Sequence, residues 1–135
     1  MFVLDCSVAL AWCMPDENDH YADDVLNLLI EQQAIVPSLW HLEVMNVLLM
    51  AQRKNRINTD HITRILQTLS QLNISTDKKQ LNITNTDFVD FAQHYKLTSY
   101  DASYLYLAKR ERIPLATLDK KMKNVADSLE LSLQL

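Results

Sequence analysis

Short β-favouring runs at Phe2–Leu4, Ala34–Val36, Ile74–Thr76, Leu115–Leu118 and Leu129–Leu133 are separated by segments long enough for helices. A chain that alternates strand and helix buries both by laying the strands in parallel and covering the two faces of the sheet with helices. The expected fold class is therefore α/β: a three-layer sandwich with a mainly parallel five-stranded sheet, in one domain over residues 1–135. The intervening helices are expected at Ser7–Cys13, stopped by Pro15, and from an Asn18 or Asp19 cap to about Gln32, with Ala22, Val25, Leu26, Leu29 and Ile30 as its apolar stripe. Others run from about Ser38 to Lys54 and from a Thr59 cap to about Leu72. The last three run from Thr86 or Asp87 to about Tyr95, from Ser99 to about Arg110, and over Lys120–Ala126.

Hydrophobic residues make up 48% of the chain, enough for one core. No apolar run reaches the roughly 20 residues that span a bilayer, and the basic start of a secretory signal is missing. Cys6 and Cys13 lie on one short element, where a bridge would fasten little, so free thiols in a reducing, cytoplasmic setting are expected. The chain has no glycine, where roughly nine would be usual at a frequency of about 7%. A Walker A loop and a GxGxxG turn both need glycine for close approach to phosphate. Both are excluded, so phosphate has to be handled by metal and side chains.

Acids occupy apolar surroundings. Asp5 ends the run Met1–Leu4, Glu43 lies inside Leu39–Met50, Asp101 opens the segment Ser99–Leu105, and Asp119 closes Pro114–Leu118. A carboxylate in an apolar segment is costly unless it is paired, hydrogen-bonded or metal-bound. In a parallel α/β sheet ligands gather beyond the carboxyl ends of the strands. Asp5 and Asp119 sit at such ends, Asp101 in a first helical turn, and Glu43 on the helix after the second strand, so one crevice can collect all of them. The competing reading makes Asp101 and its like helix caps, and gives Glu43 a structural hydrogen bond with Asn46. A helix as apolar as 39–50 is expected to be buried around much of its circumference.

Other chemistries fit less well. His20, His41, His61 and His94 are scattered and lack HExxH spacing. His41-x-Glu43 lacks the Pro-Cys-x-x-Cys of a zinc deaminase. Cys6 reads as a packed thiol rather than a nucleophile. Tyr100, Tyr104 and Tyr106 have the spacing of core or interface residues, with base stacking as the functional alternative. A receiver-type phosphoacceptor also uses an acidic Mg²⁺ pocket, but its only candidate acceptor, Asp77, lies in a loop-like Ser-Thr-Asp-Lys-Lys stretch.

The motifs resemble those of the PIN-domain ribonucleases. Val3-Leu4-Asp5-Cys6-Ser7 is similar to the opening of that family. The stretch from Pro37 to Leu48, with Glu43 and Asn46, is similar to its second motif, Leu97–Ala108 around Asp101 to its third, and Pro114–Met122 around Asp119 to its fourth. In size and motif style the chain looks most like the VapC toxins of toxin–antitoxin pairs, while residues 56–95 are unspecific. The resemblance implies metal-dependent RNA cleavage, with Asp5, Glu43, Asp101 and Asp119 as metal-binding and catalytic residues. It implies supporting hydrogen bonds from Ser7 and Thr117, and Asn46 orienting Glu43. Glycines common around the third and fourth motifs are missing here. The alternative within the family is a PIN-fold protein of RNA processing or binding without a toxin role.

Mg²⁺ and Mn²⁺ prefer oxygen ligands. A metal-bound water loses its proton readily and attacks phosphorus in line, while metal stabilises the leaving oxygen. Asp5 is the candidate bridge if two ions bind. Residues 1–52 hold eight acids and no Lys or Arg; the remainder carries all 13 basic residues against nine acids. That asymmetry reads as an acidic pocket with a basic rim for a polyanion. Lys120, Lys121 and Lys123, directly after Asp119, are the expected grip on RNA phosphates. The apolar surfaces of 39–50 and 99–108 suggest a homodimer and a cognate antitoxin as partners.

Overall fold

The computed structural model describes all 135 residues. Strands β1 (Phe2–Leu4), β2 (Ala34–Val36), β3 (Ile74–Thr76) and β4 (Leu115–Ala116) form one parallel sheet in the order β3-β2-β1-β4. Val3 pairs with Ile35 on one side and Leu115 on the other, so β1 is internal. All of Phe2, Val3 and Leu4 are fully buried, which is why β1 reads as an unbroken apolar run rather than an alternation.

The expected fifth strand at 129–133 is a correction. It contributes one bridge, Leu115 to Ser132, held by Leu115 N–H to the Leu131 carbonyl and Leu133 N–H to the Leu115 carbonyl. Glu130 stands at φ 57°, so the chain leaves the last helix through a left-handed turn and runs beside β4 only briefly. The sheet is therefore four-stranded. β4 is also shorter than expected, because Thr117 and Leu118 leave the ladder to serve the sheet's carboxyl edge.

The helices are α1 (Cys6–Cys13), α2 (His20–Leu28), α3 (Leu39–Arg53), α4 (Thr59–Ser70), α5 (Thr86–His94), α6 (Ser99–Glu111) and α7 (Lys120–Ser128). Asp19 caps α2 by accepting from Ala22 N–H. α4 is capped by Asn58 rather than Thr59, with His61 closing the capping box. α2 ends at Leu28, short of the expected Gln32, and Ile30 is thereby left exposed. None of the helices is long and apolar enough to cross a membrane.

Without glycine, left-handed positions fall to other residues. Asn55, Lys96, Arg112 and Glu130 all have φ near 60° and lie just after α3, α5, α6 and α7. Each takes a place where glycine avoids the Cβ penalty.

α3 buries one stripe, Trp40, Val44, Leu48 and Ala51. Its other face is exposed at Leu42, Met45, Leu49 and Met50. The expectation of burial around most of its circumference fails for the single chain. Between α3 and α4 runs a groove of about 240 Å³ lined by Trp40, Val44, Met45, Leu66, Leu69 and Ile74. The buried Trp40 Nε1–H has no acceptor there, whereas Trp12 Nε1–H donates to the Ala22 carbonyl at 2.7 Å.

Candidate active site

The carboxyl ends of β1 and β4 are neighbours, so the residues that follow them meet. Asp5 precedes α1 as its N-cap residue, but its carboxylate makes no cap hydrogen bond. It turns instead to two hydroxyls. Ser7 Oγ–H and Thr117 Oγ1–H each donate to Asp5 Oδ2 at 2.7 Å. Both hydroxyl oxygens are in turn acceptors: Leu118 N–H donates to Ser7 Oγ and Asp119 N–H to Thr117 Oγ1, each at 3.0 Å. Two backbone amides of the segment after β4 are thus relayed through two hydroxyls onto one oxygen of a buried carboxylate. Chains of this kind polarise and strengthen each other, and they fix Asp5 rigidly to the start of the last motif.

Asp101 sits in the first turn of α6. Its carboxylate is not used as a cap, because Thr98 Oγ1 accepts from Asp101 N–H and fills that role. Asp119 caps α7 with one oxygen, accepting from Met122 N–H at 2.9 Å. Glu43 projects from α3 and accepts from the Tyr104 hydroxyl on α6. Asn46 is exposed on α3, and the hydrogen bond expected from it to Glu43 is supplied by Tyr104.

The four acids feel one another. Burial pushes the Asp5 carboxyl above its usual range, outweighing the Thr117 and Ser7 hydrogen bonds, and Asp119 adds to the rise. Glu43 is raised by burial and by Asp5 and Asp101, against the lowering effect of Tyr104. Asp101 is raised by burial, then by Asp119 and Asp5, with Lys121 alone among cations acting against it. The structure therefore brings Asp5, Glu43, Asp101 and Asp119 into one electrostatic neighbourhood. It does not close them into a cage: no three His, Cys, Asp or Glu side chains converge closely enough to hold one ion. The donor set is oxygen only, which suits a hard cation such as Mg²⁺. That ion usually keeps several waters and needs one or two carboxylates plus a substrate phosphate.

Two neighbours of the acids bear on the site, one of them with a role beyond the one expected from the sequence. Tyr104 is fully buried and its hydroxyl holds Glu43, rather than only filling the core. Its position three residues after Asp101, on the same helical face, is the signal that marks it. Cys6 lies beside Asp5 and Glu43. Burial and then those charges push its thiol far up, in keeping with the packed thiol expected from the sequence.

The lysines divide. Lys121 Nζ donates to the Lys96 carbonyl and lies close enough to Asp101 to lower its pKa. Lys123 pairs with Asp127 one turn along α7, and Lys120 is exposed. Asp77 is not part of the acid group. It lies after β3 and is bound by Arg110 at 2.8 Å, the arrangement of a structural ion pair and not of a phosphoacceptor.

The fold has known counterparts. It is similar to PAE2754 from Pyrobaculum aerophilum, at a TM-score of 0.67 and 24% identity over 91% of this chain and 77% of that one. It is similar to a chain of a toxin–antitoxin complex from Klebsiella pneumoniae, at a TM-score of 0.58 and 21% identity over 90% and 88%. FitAcB from Neisseria gonorrhoeae aligns at a TM-score of 0.65 and 18% identity over 94% of each chain. None of the curated proteins compared with the chain matches it. The family comparison matches the PIN domain over residues 2–128, from the first strand through the last helix and across all four acids, and the chain belongs to the PIN domain family.

Proposed function

We propose that this chain is a metal-dependent endoribonuclease and the toxin of a type II toxin–antitoxin pair. The observation that carries the nuclease reading is the set of acids at the carboxyl ends of β1 and β4. Three of them, Asp5, Glu43 and Asp101, are held above their usual pKa with only Lys121 as a nearby cation. Carboxylates clustered without a compensating cation destabilise the empty protein, and a site is where such a cost is retained.

From among Asp5, Glu43, Asp101 and Asp119, one or two carboxylates at a time would hold Mg²⁺ or Mn²⁺ together with waters and the substrate phosphate, and the ion would supply a nucleophilic water and charge stabilisation on that phosphate. The chain's own residues do the positioning. Ser7 and Thr117 fix Asp5, and Tyr104 fixes Glu43. Lys121, tethered at the Lys96 carbonyl, sets a positive charge at the edge of the acids where a phosphate of RNA would rest. Lys120 and Lys123 extend that edge along α7, with Lys123 released from Asp127 as it engages RNA.

The toxin reading draws on the likeness to the Klebsiella chain, whose structure is of a toxin–antitoxin complex. An antitoxin segment laid into the groove between α3 and α4, and a second copy on the exposed α3 face, are the partners proposed. Free Cys6 and Cys13 suit the cytoplasm. The test is cleavage of total RNA with Mg²⁺ or Mn²⁺, stopped by EDTA and by Asp101→Asn. Full activity of Asp101→Asn with unchanged metal dependence would sink the site. Cleavage without growth arrest on expression would favour a role in RNA processing instead.

A further inference from the structure

Helix α6 presents two working faces. Asp101 and Tyr104 turn to the acids. Tyr100, Ser103, Leu107 and Arg110, three or four residues apart, line a separate crevice of about 490 Å³ that contains none of the four acids. The crevice opens beyond the carboxyl ends of β2 and β3, where Pro37 and Asp77 follow the strands and Asp77 N–H donates to the Val36 carbonyl at 2.8 Å. Both sites therefore lie on one edge of the sheet, and Tyr100 and Asp101 are consecutive residues.

The lining has the makings of a base pocket. Its volume falls among ordinary small-ligand sites, roughly 300–1,000 Å³. Phe88 and Leu107 give apolar walls. Tyr100, 65% exposed, stands at the rim as a platform. Deeper in, Arg110 Nη2 donates to Asp77 Oδ1 at 2.8 Å, with the two side chains 26% and 12% exposed. A guanidinium and a carboxylate side by side offer donors and an acceptor; Gln80 and Ser103 also line the crevice, the Ser103 hydroxyl donating to the Tyr100 carbonyl at 2.6 Å. Single-stranded RNA is read in this way: an unstacked base lies on an aromatic ring and its edge meets mixed polar groups.

We propose that this crevice binds one unstacked nucleobase of the RNA strand whose scissile phosphate lies at the acids, and that it sets the sequence preference of cleavage. The proposal rests on the ribonuclease reading. A phosphate at Asp101 puts the flanking nucleotide against Tyr100, because the two side chains leave adjacent positions of one helical turn. Asp77 and Arg110 then act on base identity, while the acids act on the bond.

The experiment uses a short RNA cut once by the full chain with Mg²⁺ or Mn²⁺, remade with an abasic nucleotide at each position in turn. One abasic position beside the cut should lower kcat/KM about 5- to 100-fold, the worth of one stacked base. In Tyr100→Ala the intact RNA should be cut more slowly by a similar factor, and the same abasic RNA should show no further loss. Gln80→Ala should relax the base preference, narrowing the ratio of kcat/KM between the preferred and the other bases at that position. Failure of the wild-type chain to cut any RNA would sink the ribonuclease reading and the subsite with it. Cutting with no abasic-sensitive position, or with the Tyr100→Ala and abasic losses multiplying, would overturn the subsite alone. Unchanged kinetics together with loss of antitoxin binding in Tyr100→Ala would make the crevice a protein-docking site and also overturn it.

Discussion

Acids at the two ends of the carboxyl edge of this sheet are handled in opposite ways. On the β3 side, Asp77 is met by the Arg110 guanidinium at 2.8 Å, and the pair holds the loop after β3 to α6. On the β1 and β4 side, Asp5, Glu43, Asp101 and Asp119 are met by hydroxyls, a backbone amide and each other, with Lys121 alone at the margin. The first arrangement is matched in charge. The second is hydrogen-bonded at Asp5, Glu43 and Asp119 but not at the Asp101 carboxylate, and it is unsatisfied in its charge. The difference separates an acid whose charge is matched within the fold from acids whose charge is left unmatched, although both look alike in the sequence.

The largest effect expected from this contrast is on activity. Asp101→Asn should lower RNA cleavage at least about 100-fold while the circular dichroism spectrum stays native, since it removes charge from the proposed metal site. The Asp77 side should respond in the opposite sense. Arg110→Ala leaves a mostly buried carboxylate without its partner and should cost about 1–3 kcal/mol in urea unfolding. Asp101→Asn should leave metal-free stability unchanged or raise it, because it relieves repulsion. A neutral Arg110→Ala would break the comparison.

Within the acid group the hydroxyl relay can be tested by Thr117→Val. Asp5 keeps Ser7 but loses one donor, and Asp119 N–H loses its acceptor. A loss of about 1–2 kcal/mol is expected by the same unfolding measurement.

The smallest effect is the pH dependence of the metal-free protein. Asp5, Glu43 and Asp101 have folded pKa values raised above the ordinary 3.8 or 4.5. Between the ordinary and raised values the folded chain holds more protons than the unfolded one, so these groups lower stability as pH rises through that window. Their contribution is fully present below the ordinary value and lost above the raised one. Thermal melts of Asp101→Asn against the wild type, from pH 4 upward in EDTA, should diverge as pH increases, with the wild type falling. Saturating Mn²⁺ should narrow the gap, as metal competes with protons for these oxygens. Parallel melting curves would remove the argument that the acids are left uncompensated.

The sequence made most of this edge legible, for identifiable reasons. β1 is buried on both faces and β2 on one face, with Ile35 half-buried on the other, and both read as apolar runs. Asp5 and Asp119 follow strands directly, so their place needs only the strand ends to be found. The last strand misled because Leu129, Leu131 and Leu133 alternate like a half-buried strand. Alternation reports which side a residue faces, not how long a ladder lasts, and the left-handed Glu130 shortens this one. Asn46 was assigned by its position beside Glu43 on one helix, whereas the partner, Tyr104, lies 61 residues away and depends on how α6 packs on the sheet. The crevice at Arg110 was invisible for the same reason. Its walls come from the segments after β2 and β3 and from α5 and α6, so residues of the second and third motifs meet there with the unspecific middle of the chain.

The two indoles of this chain give it a built-in optical reporter. Trp12 is already hydrogen-bonded to a backbone carbonyl within the fold, while Trp40 lines the α3–α4 groove and its buried Nε1–H has no acceptor. Whatever fills that groove changes the surroundings of one chromophore and leaves the other as an internal standard. Occupancy of the groove can thus be followed by steady-state emission of the unlabelled protein, with Trp12→Phe isolating the responsive signal, before any partner has been identified.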